Sequence, residues 1–216
     1  MPDSSDYKNQ EFIEKQKKIY KSSYVTIALV IINAVIFVLG SMFFPFIYTI
    51  GVMYTPSVLQ DGEYHRLVTA MFLHQDINHL FNNMMILLLV GAIIENYLGH
   101  VAYGIMYMAA GIFGNLLSMA YEVRNEVTWV SLGASGAVMG IVGFLVVWLV
   151  INRKSLAQDK SMLFRLLFLL LFVIEACFFQ QGANTIAHLG GFIAGFIFGI
   201  INIIIFNNRK DMEGIA

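Results

Sequence analysis

Long apolar runs separated by short polar segments make up most of the chain between residues 24 and 206. Each run is about 20 residues long, the length of helix that crosses the hydrocarbon core of a bilayer. The six runs cover residues 24–44, 77–97, 101–121, 131–151, 161–180 and 185–206. The first is longer than the apolar core of a signal peptide, so we interpret it as a retained spanning helix. The pattern predicts an all-α membrane protein built as a bundle of six transmembrane helices.

Composition agrees with this class. Of the 216 residues, 58% are hydrophobic and 12% are charged, whereas a soluble domain carries about a quarter charged residues. The formal net charge is −1, which provides no global basic surface, and we expect no nucleic acid partner. The single Cys177 cannot form an intramolecular disulfide, and we expect it to be a small buried apolar residue.

Polar segments divide the chain into three parts. Residues 1–23 form a short basic cytoplasmic tail, which is either a helix lying on an anionic leaflet or disordered. Residues 24–206 form the six-helix domain, and residues 207–216 form a cytoplasmic C-terminal tail. Within the domain, residues 46–73 are too interrupted by polar residues to span, yet too apolar for an ordinary solvated loop. They predict a structured first loop at the membrane interface.

Lysine and arginine are distributed unequally between the two sides of the predicted bundle. One side receives both tails, the 98–100 turn and the 152–160 loop, and it carries Lys8, Lys15, Lys17, Lys18, Lys21, Arg153, Lys154, Lys160, Arg209 and Lys210. The loops on the other side carry only Arg66 and Arg124, and Arg165 lies near the cytoplasmic end of the fifth run. The positive-inside rule therefore places both termini in the cytoplasm.

The tetrad Gly133-Ala134-Ser135-Gly136 contains a candidate nucleophile. A serine flanked by glycines can be approached closely by backbone, and its own amide can serve a developing oxyanion. Small residues are also common at the interfaces of membrane helices, and the tetrad taken alone favours a packing role.

Four polar groups are predicted to lie at one depth. The second, fourth and sixth helices all start at the extracytoplasmic face, and their first turns contain His79, Asn83, Ser135 and His188. At 1.5 Å per residue, all four lie about 5–10 Å below the outer surface. His79 and Asn83 are four residues apart on one helical face and can both donate hydrogen bonds, as an oxyanion hole requires. Taken singly, each could instead cap or bridge helices.

Glycines mark the helices that would bring two of these groups together. Gly191, Gly195 and Gly199 share a face with His188, and Gly133, Gly136, Gly140 and Gly143 are interpreted as one face of the fourth helix. Small faces allow close backbone approach. We therefore expect the fourth and sixth helices to pack tightly and to bring His188 toward Ser135.

Together these motifs resemble the rhomboid intramembrane serine proteases. The matching features, over roughly residues 24–206, are Gly133-x-Ser135-Gly136, Ala187-His188-x-x-Gly191-x-x-x-Gly195, His79-x-x-x-Asn83, Gly91-x-x-x-Glu95-x-x-x-Gly99 and Glu63-Tyr64-His65-Arg66. Two positions depart from the family pattern. His65 stands where the family usually has tryptophan, and Met139 stands where an aromatic often stacks on the base histidine.

The resemblance implies a Ser–His dyad, with Ser135 as nucleophile and His188 as general base and then acid. His79, Asn83 and the Ser135 amide would hold the oxyanion, and Arg66 and Glu95 would be structural. It implies no cofactor and no metal. Partners would be transmembrane protein substrates and the lipid bilayer, and the oligomeric state stays open. We expect a bacterial plasma membrane, with the active site toward the extracytoplasmic face and cleavage near that end of a single-span substrate.

Other classes fit the residues less well. A metalloprotease would be expected to show His-Glu-x-x-His, which does not occur, and His74 and His79 are five residues apart, off one face. A transporter would place polar groups near the midplane. A rhomboid-like binding protein that has lost catalysis would usually lack one member of the nucleophile–base pair.

Entry of the substrate is predicted beside the fifth helix. Phe168, Phe172 and Phe179 either form a lateral gate there or simply face lipid. The 181–184 loop would cover a water-filled cavity that opens outward.

Overall fold

Five helices in the computed structural model are long and apolar enough to cross a membrane. The structure describes residues 4–156, 168, 171, 182–208 and 212, and within these the candidate spans are Tyr24–Phe43, Ile77–Leu98, His100–Asn125, Ser135–Arg153 and Thr185–Ile205. They correspond to the first, second, third, fourth and sixth predicted spans. The prediction of an all-α membrane bundle is confirmed.

The predicted fifth span, 161–180, lies outside the described residues except for Phe168 and Leu171, which are helical and exposed. The count of six spans therefore stays a prediction. Phe172, Cys177 and Phe179 also lie outside the described residues.

The chain begins with α1 (Ser4–Ser22) and α2 (Tyr24–Val38), which a π-helical turn extends over Leu39–Phe43. The first loop contains four short elements, α3 (Phe46–Gly51), β1 (Met53–Tyr54), α4 (Thr55–Gln60) and α5 (Arg66–Thr69), and then a 3-10 turn, Ala70–Phe72.

The remaining described elements start with α6 (Ile77–Ile86), a π-helical turn (Leu87–Gly91) and α7 (Ala92–Leu98), which together form the second span. They are followed by α8 (His100–Asn125), β2 (Val130–Ser131), α9 (Ser135–Leu156), α10 (Thr185–Gly199) and a π-helical turn, Ile200–Ile205.

The N-terminal segment packs on the bundle. Ile19 in α1 is almost fully buried, and the Ser23 hydroxyl donates to the Ala92 carbonyl at 3.2 Å. The buried carboxylate of Glu95 then accepts hydrogen bonds from the amides of Val25 and Thr26, at 2.9 and 2.7 Å. A carboxylate at this position satisfies free amides at the start of α2 and complements the helix dipole. The tail is helical over Ser4–Ser22, and its contact with an anionic leaflet stays a prediction.

Arg66 organises the first loop. Its side chain is 6% exposed, donates to the carbonyls of Val52 and Thr49 at 2.8 and 3.1 Å, and pairs with the Glu63 carboxylate at 2.6 Å. Arg66 therefore ties three segments of the loop to one guanidinium. The hydrogen bond from Arg66 lowers the pKa of Glu63.

The fourth span begins at Ser135 rather than at residue 131, and the sequence interpretation of Gly133 as part of a helical face is wrong. Val130 and Ser131 pair antiparallel with Tyr54 and Met53, which keeps the chain extended there. Gly133 has φ +130°, a conformation closed to most side chains. Backbone pairing with the first loop overrides the apolar pattern and delays the helix by four residues.

Helices α9 and α10 touch backbone to backbone. A Cβ atom added to Gly191 would collide with the carbonyl oxygen of Gly136, and one added to Gly195 would collide with that of Gly140. Glycine at these positions therefore sets the distance between the two helices.

Candidate active site

Ser135 and His188 are in hydrogen-bond contact. Ser135 is the first residue of α9 and is partly exposed. Its Oγ lies 2.7 Å from Nε2 of His188. In the tautomer that carries its proton on Nδ1, Nε2 accepts the serine proton. This is the geometry that a nucleophile and its general base require.

The start of α10 determines where His188 lies. Asn184 is the N-cap residue, and its side-chain oxygen accepts from the amide of Ala187 at 3.0 Å. The His188 amide donates to the Asn184 carbonyl, also at 3.0 Å. His188 therefore occupies the first turn of the helix, and it is 3% exposed.

His79 reaches the same place from α6. The Asp76 carboxylate caps this helix by accepting from the amides of Asn78 and His79, at 2.8 and 2.9 Å. The imidazole packs on Gly133, where an added Cβ would lie 2.8 Å from His79 Nε2 and 3.6 Å from Ser135 Oγ. The absence of a side chain at Gly133 therefore allows the ring to approach the serine.

Asn83 lies one turn deeper on α6 and is 3% exposed. Its Nδ2 makes no hydrogen bond to any part of the chain that the structure describes. A buried donor without an acceptor costs about 1–3 kcal/mol, so it calls for an explanation such as a transient ligand.

A cavity of about 350 Å³ lies beside the reacting residues. His79, Ser135 and His188 line it, whereas Asn83 is not among its lining residues. Its remaining wall consists of Gln75, Asp76, Asn78, Val130, Ser131, Leu132, Gly182, Ala183 and Asn184. The lining is rich in polar side chains, which suits a site that must hold water.

The contact between His74 and His79 was not predicted from the sequence, which suggested a role for His74 only as a possible metal ligand. It is fully buried in the segment before α6, with its ring centroid 5.1 Å from that of His79 and the planes at 68°. Neither ring nitrogen of His74 bonds to a described residue. Burial, reinforced by the neighbouring His79, lowers the pKa of His74 to about 3.

Two further motif residues lie away from the cavity. Arg66 acts within the first loop and Glu95 at the start of α2, as described above. The first loop still reaches the site, because the Gly133 amide donates to the Ala70 carbonyl at 2.9 Å. Within the described ranges, no group of three or more His, Cys, Asp or Glu side chains could hold a metal ion.

Comparison with known proteins places these features in context. The model of the Rhomboid domain matches residues 61–204. RHOMBOID-like protein 1 of Arabidopsis thaliana is 31% identical over 77% of this chain and 43% of its own length. The Putative rhomboid protease YdcA of Bacillus subtilis is 30% identical over 65% of this chain and 68% of its own. Rhomboid-like protease 1 of Toxoplasma gondii is 28% identical over 68% of this chain and 50% of its own.

The match covers less than half the length of several of these relatives. It spans 43%, 46% and 38% of RHOMBOID-like proteins 1, 5 and 4 of Arabidopsis thaliana. The Rhomboid match over residues 61–204 includes every residue that lines the cavity but not the first span, Tyr24–Phe43.

Proposed function

Because the chain belongs to the rhomboid family, a family of multi-pass membrane proteins, we propose that it is an intramembrane serine endopeptidase. The observation that carries the proposal is the 2.7 Å contact between Ser135 Oγ and His188 Nε2. Two relatives are named as proteases, which is consistent with this activity.

In the proposed reaction His188 takes the proton from Ser135 as Oγ attacks the carbonyl carbon of the scissile peptide bond. The protonated imidazole then gives that proton to the leaving amine. A water molecule, deprotonated by the same imidazole, hydrolyses the acyl-enzyme and restores Ser135. One serine and one histidine are sufficient for each proton transfer.

The oxyanion of each tetrahedral intermediate would be held by the Ser135 amide and by the side chains of His79 and Asn83. His79 lies beside Gly133 on the cavity wall. The Nδ2 of Asn83 is a donor that bonds to no described residue. A donor kept free in the resting protein can bind the charge that develops only in the transition state, which is how such sites accelerate acyl transfer.

The proposed substrates are single-span membrane proteins. A membrane helix has all of its backbone hydrogen bonds satisfied, so it must unwind before its carbonyl can be attacked. We expect small or helix-breaking residues near the cleaved bond. Positively charged loops support cytoplasmic termini and a cavity that opens to the opposite side. The bacterial plasma membrane stays a prediction, because relatives occur in Arabidopsis thaliana as well as in Bacillus subtilis.

Paired variants test the proposal. Purified protein in proteoliposomes is given a single-span substrate, and the cleavage products are identified by mass spectrometry. Ser135→Ala and His188→Ala should each abolish cleavage while the unfolding temperature is retained, and the double variant should be no worse than either single variant. Cleavage that survives Ser135→Ala at the wild-type rate would overturn the serine mechanism.

A further inference from the structure

A buried carboxylate that the proposed mechanism does not use lies near the end of α8. Glu122 is 1% exposed. Its Oε1 accepts from the Ser118 hydroxyl one turn earlier at 3.3 Å, and its Oε2 accepts from the Trp129 amide at 3.3 Å. Burial of an acid is costly unless its oxygens are bonded, and here both are.

The Ser118 hydroxyl is the centre of this cluster. It donates its one proton to Glu122 and accepts from Nδ2 of Asn184 at 2.8 Å and from Nε1 of Trp129 at 3.3 Å. A hydroxyl has one donor and two acceptor positions, so all of its hydrogen-bonding capacity is used. Ser118 is fully buried, and removal of its oxygen would leave three partners short of a bond.

Two of the three partners of Ser118, Asn184 and Trp129, lie next to the segments that carry the two reacting residues. Asn184 caps α10, and its carbonyl accepts the amide hydrogen of His188. Trp129 directly precedes β2, and the chain continues from β2 through Gly133 to Ser135, the first residue of α9. One hydrogen-bonded cluster therefore contacts the turn that carries the base and the segment that carries the nucleophile.

We propose that Glu122, Ser118 and Asn184 form a positioning network that holds His188 at hydrogen-bond distance from Ser135. The inference rests on the proposed function. It adds an acid, Glu122, which the Ser135–His188 dyad lacks and which acts on His188 through Ser118 and Asn184. In a Ser-His-Asp triad the acid bonds the imidazole directly. Here the acid fixes the N-cap of the helix that presents the imidazole.

Asn184 performs two tasks that substitution can separate. Its side-chain oxygen caps the helix through the Ala187 amide, and its side-chain nitrogen donates to Ser118. Asn184→Asp keeps an oxygen for the cap, since aspartate is as good an N-cap residue as asparagine, but it removes the donor to Ser118. If Asn184 only stabilises the helix, Asn184→Asp should keep the wild-type kcat. If Asn184 also positions His188, the kcat of this variant should fall.

The test measures kcat and KM for a single-span substrate in proteoliposomes, together with the rate at which a fluorophosphonate probe labels Ser135. The variants are Ser118→Ala, Asn184→Asp and their combination. The matched control is Asn125→Ala near the same end of α8, because the Asn125 side chain is exposed and, within the part of the chain that the structure describes, it donates to the Tyr121 carbonyl one turn away and takes no part in the Ser118 cluster.

We expect kcat and the labelling rate of each network variant to fall about 10- to 100-fold with KM nearly unchanged, as a small misplacement of a reacting group does. The double variant should be no slower than the slower single variant, because the residues act through one path. If Ser118→Ala does not fold, Asn184→Asp decides the question alone.

The proposal is overturned if the network variants match Asn125→Ala in kcat, or if only KM rises. Failure of the proposed function would look different. In that case the probe would not label Ser135 in the wild-type protein at all, whereas failure of the network alone leaves wild-type labelling intact and equal in every variant.

Discussion

The Nε2 atom of His188 lies 2.7 Å from the Oγ atom of Ser135, although 53 residues separate them along the chain. Two features of the fold create this contact. Glycines at the α9–α10 interface let the backbones touch, and the Asn184 cap on α10 fixes the turn that carries His188. The glycine contact leads directly to a measurable expectation.

Replacement of Gly191 by alanine should destabilise the bundle and lower activity. The added Cβ would collide with the carbonyl oxygen of Gly136, a backbone atom that cannot move aside without shifting α9. Overpacking of this kind costs about 1–3 kcal/mol. The free energy of unfolding, measured in mixed micelles, should fall by that amount for Gly191→Ala.

Gly104→Ala is the matched control for that measurement. A Cβ at Gly104 would meet Val25 Cγ1 at 3.8 Å, an ordinary contact, and alanine is the better helix former by up to about 1 kcal/mol. This variant should be as stable as the wild type or slightly more so. Equal losses in the two variants would mean that the close α9–α10 contact is unimportant for stability.

Asn83→Ala should lower kcat by a factor that corresponds to about 2.7–4 kcal/mol of transition-state stabilisation, the usual cost of one oxyanion donor. KM should change little, because the donor is engaged only once the oxyanion forms. Steady-state kinetics on a single-span substrate would measure this, with Asn82→Ala as the neighbouring control. A rise in KM with kcat unchanged would assign Asn83 to substrate binding.

Stability should fall in mild acid because of His74. Its pKa is lowered to about 3 by burial and by the adjacent His79, against a smaller opposing effect of Asp76. Between about pH 6.5 and pH 3 the unfolded chain therefore binds a proton at His74 that the folded protein does not. Stability then decreases as the pH falls through that window, by at most about 1.4 kcal/mol per pH unit from this residue.

His74→Phe tests the acid effect. Phenylalanine keeps a flat ring against His79 and cannot be protonated, and the two ring nitrogens that it replaces bond to no described residue. Unfolding free energies at several values between pH 7 and pH 4.5 should decline less steeply for the variant than for the wild type. Parallel curves would show that His74 does not stay neutral in the folded state.

The sequence predicted which spans carry the site residues better than it predicted the backbone pairing and the hydrogen bonds that hold those residues in place. Helix direction and residue depth were enough to bring His79, Ser135 and His188 to one cavity, because membrane spans fix both quantities. Asn83 is buried one turn deeper and does not line that cavity. The predicted start of the fourth span was wrong because Val130 and Ser131 pair with the first loop. That pairing is a tertiary contact, which a local sequence pattern does not predict. Glycine at position 133 did signal an unusual backbone, but the helical spacing was the wrong interpretation of it.

The positioning network was missed for a related reason. Ser118 and Glu122 are one turn apart and could have been paired, yet Asn184 is 66 residues from Ser118 in the chain. Asn184 directly before an apolar run is a recognisable helix start. What the sequence could not supply is that this start lies against α8, since that depends on packing of the whole bundle.

Covalent labelling of Ser135 tests the central claim most directly. Wild-type protein in membranes is treated with a fluorophosphonate probe, and the modified residue is identified by peptide mass spectrometry. We predict modification at Ser135, loss of labelling in Ser135→Ala, and a large reduction in His188→Ala because the hydroxyl then lacks its base. Wild-type protein that cleaves its substrate but is never modified at Ser135, or equal labelling of the wild type and His188→Ala, would contradict the account.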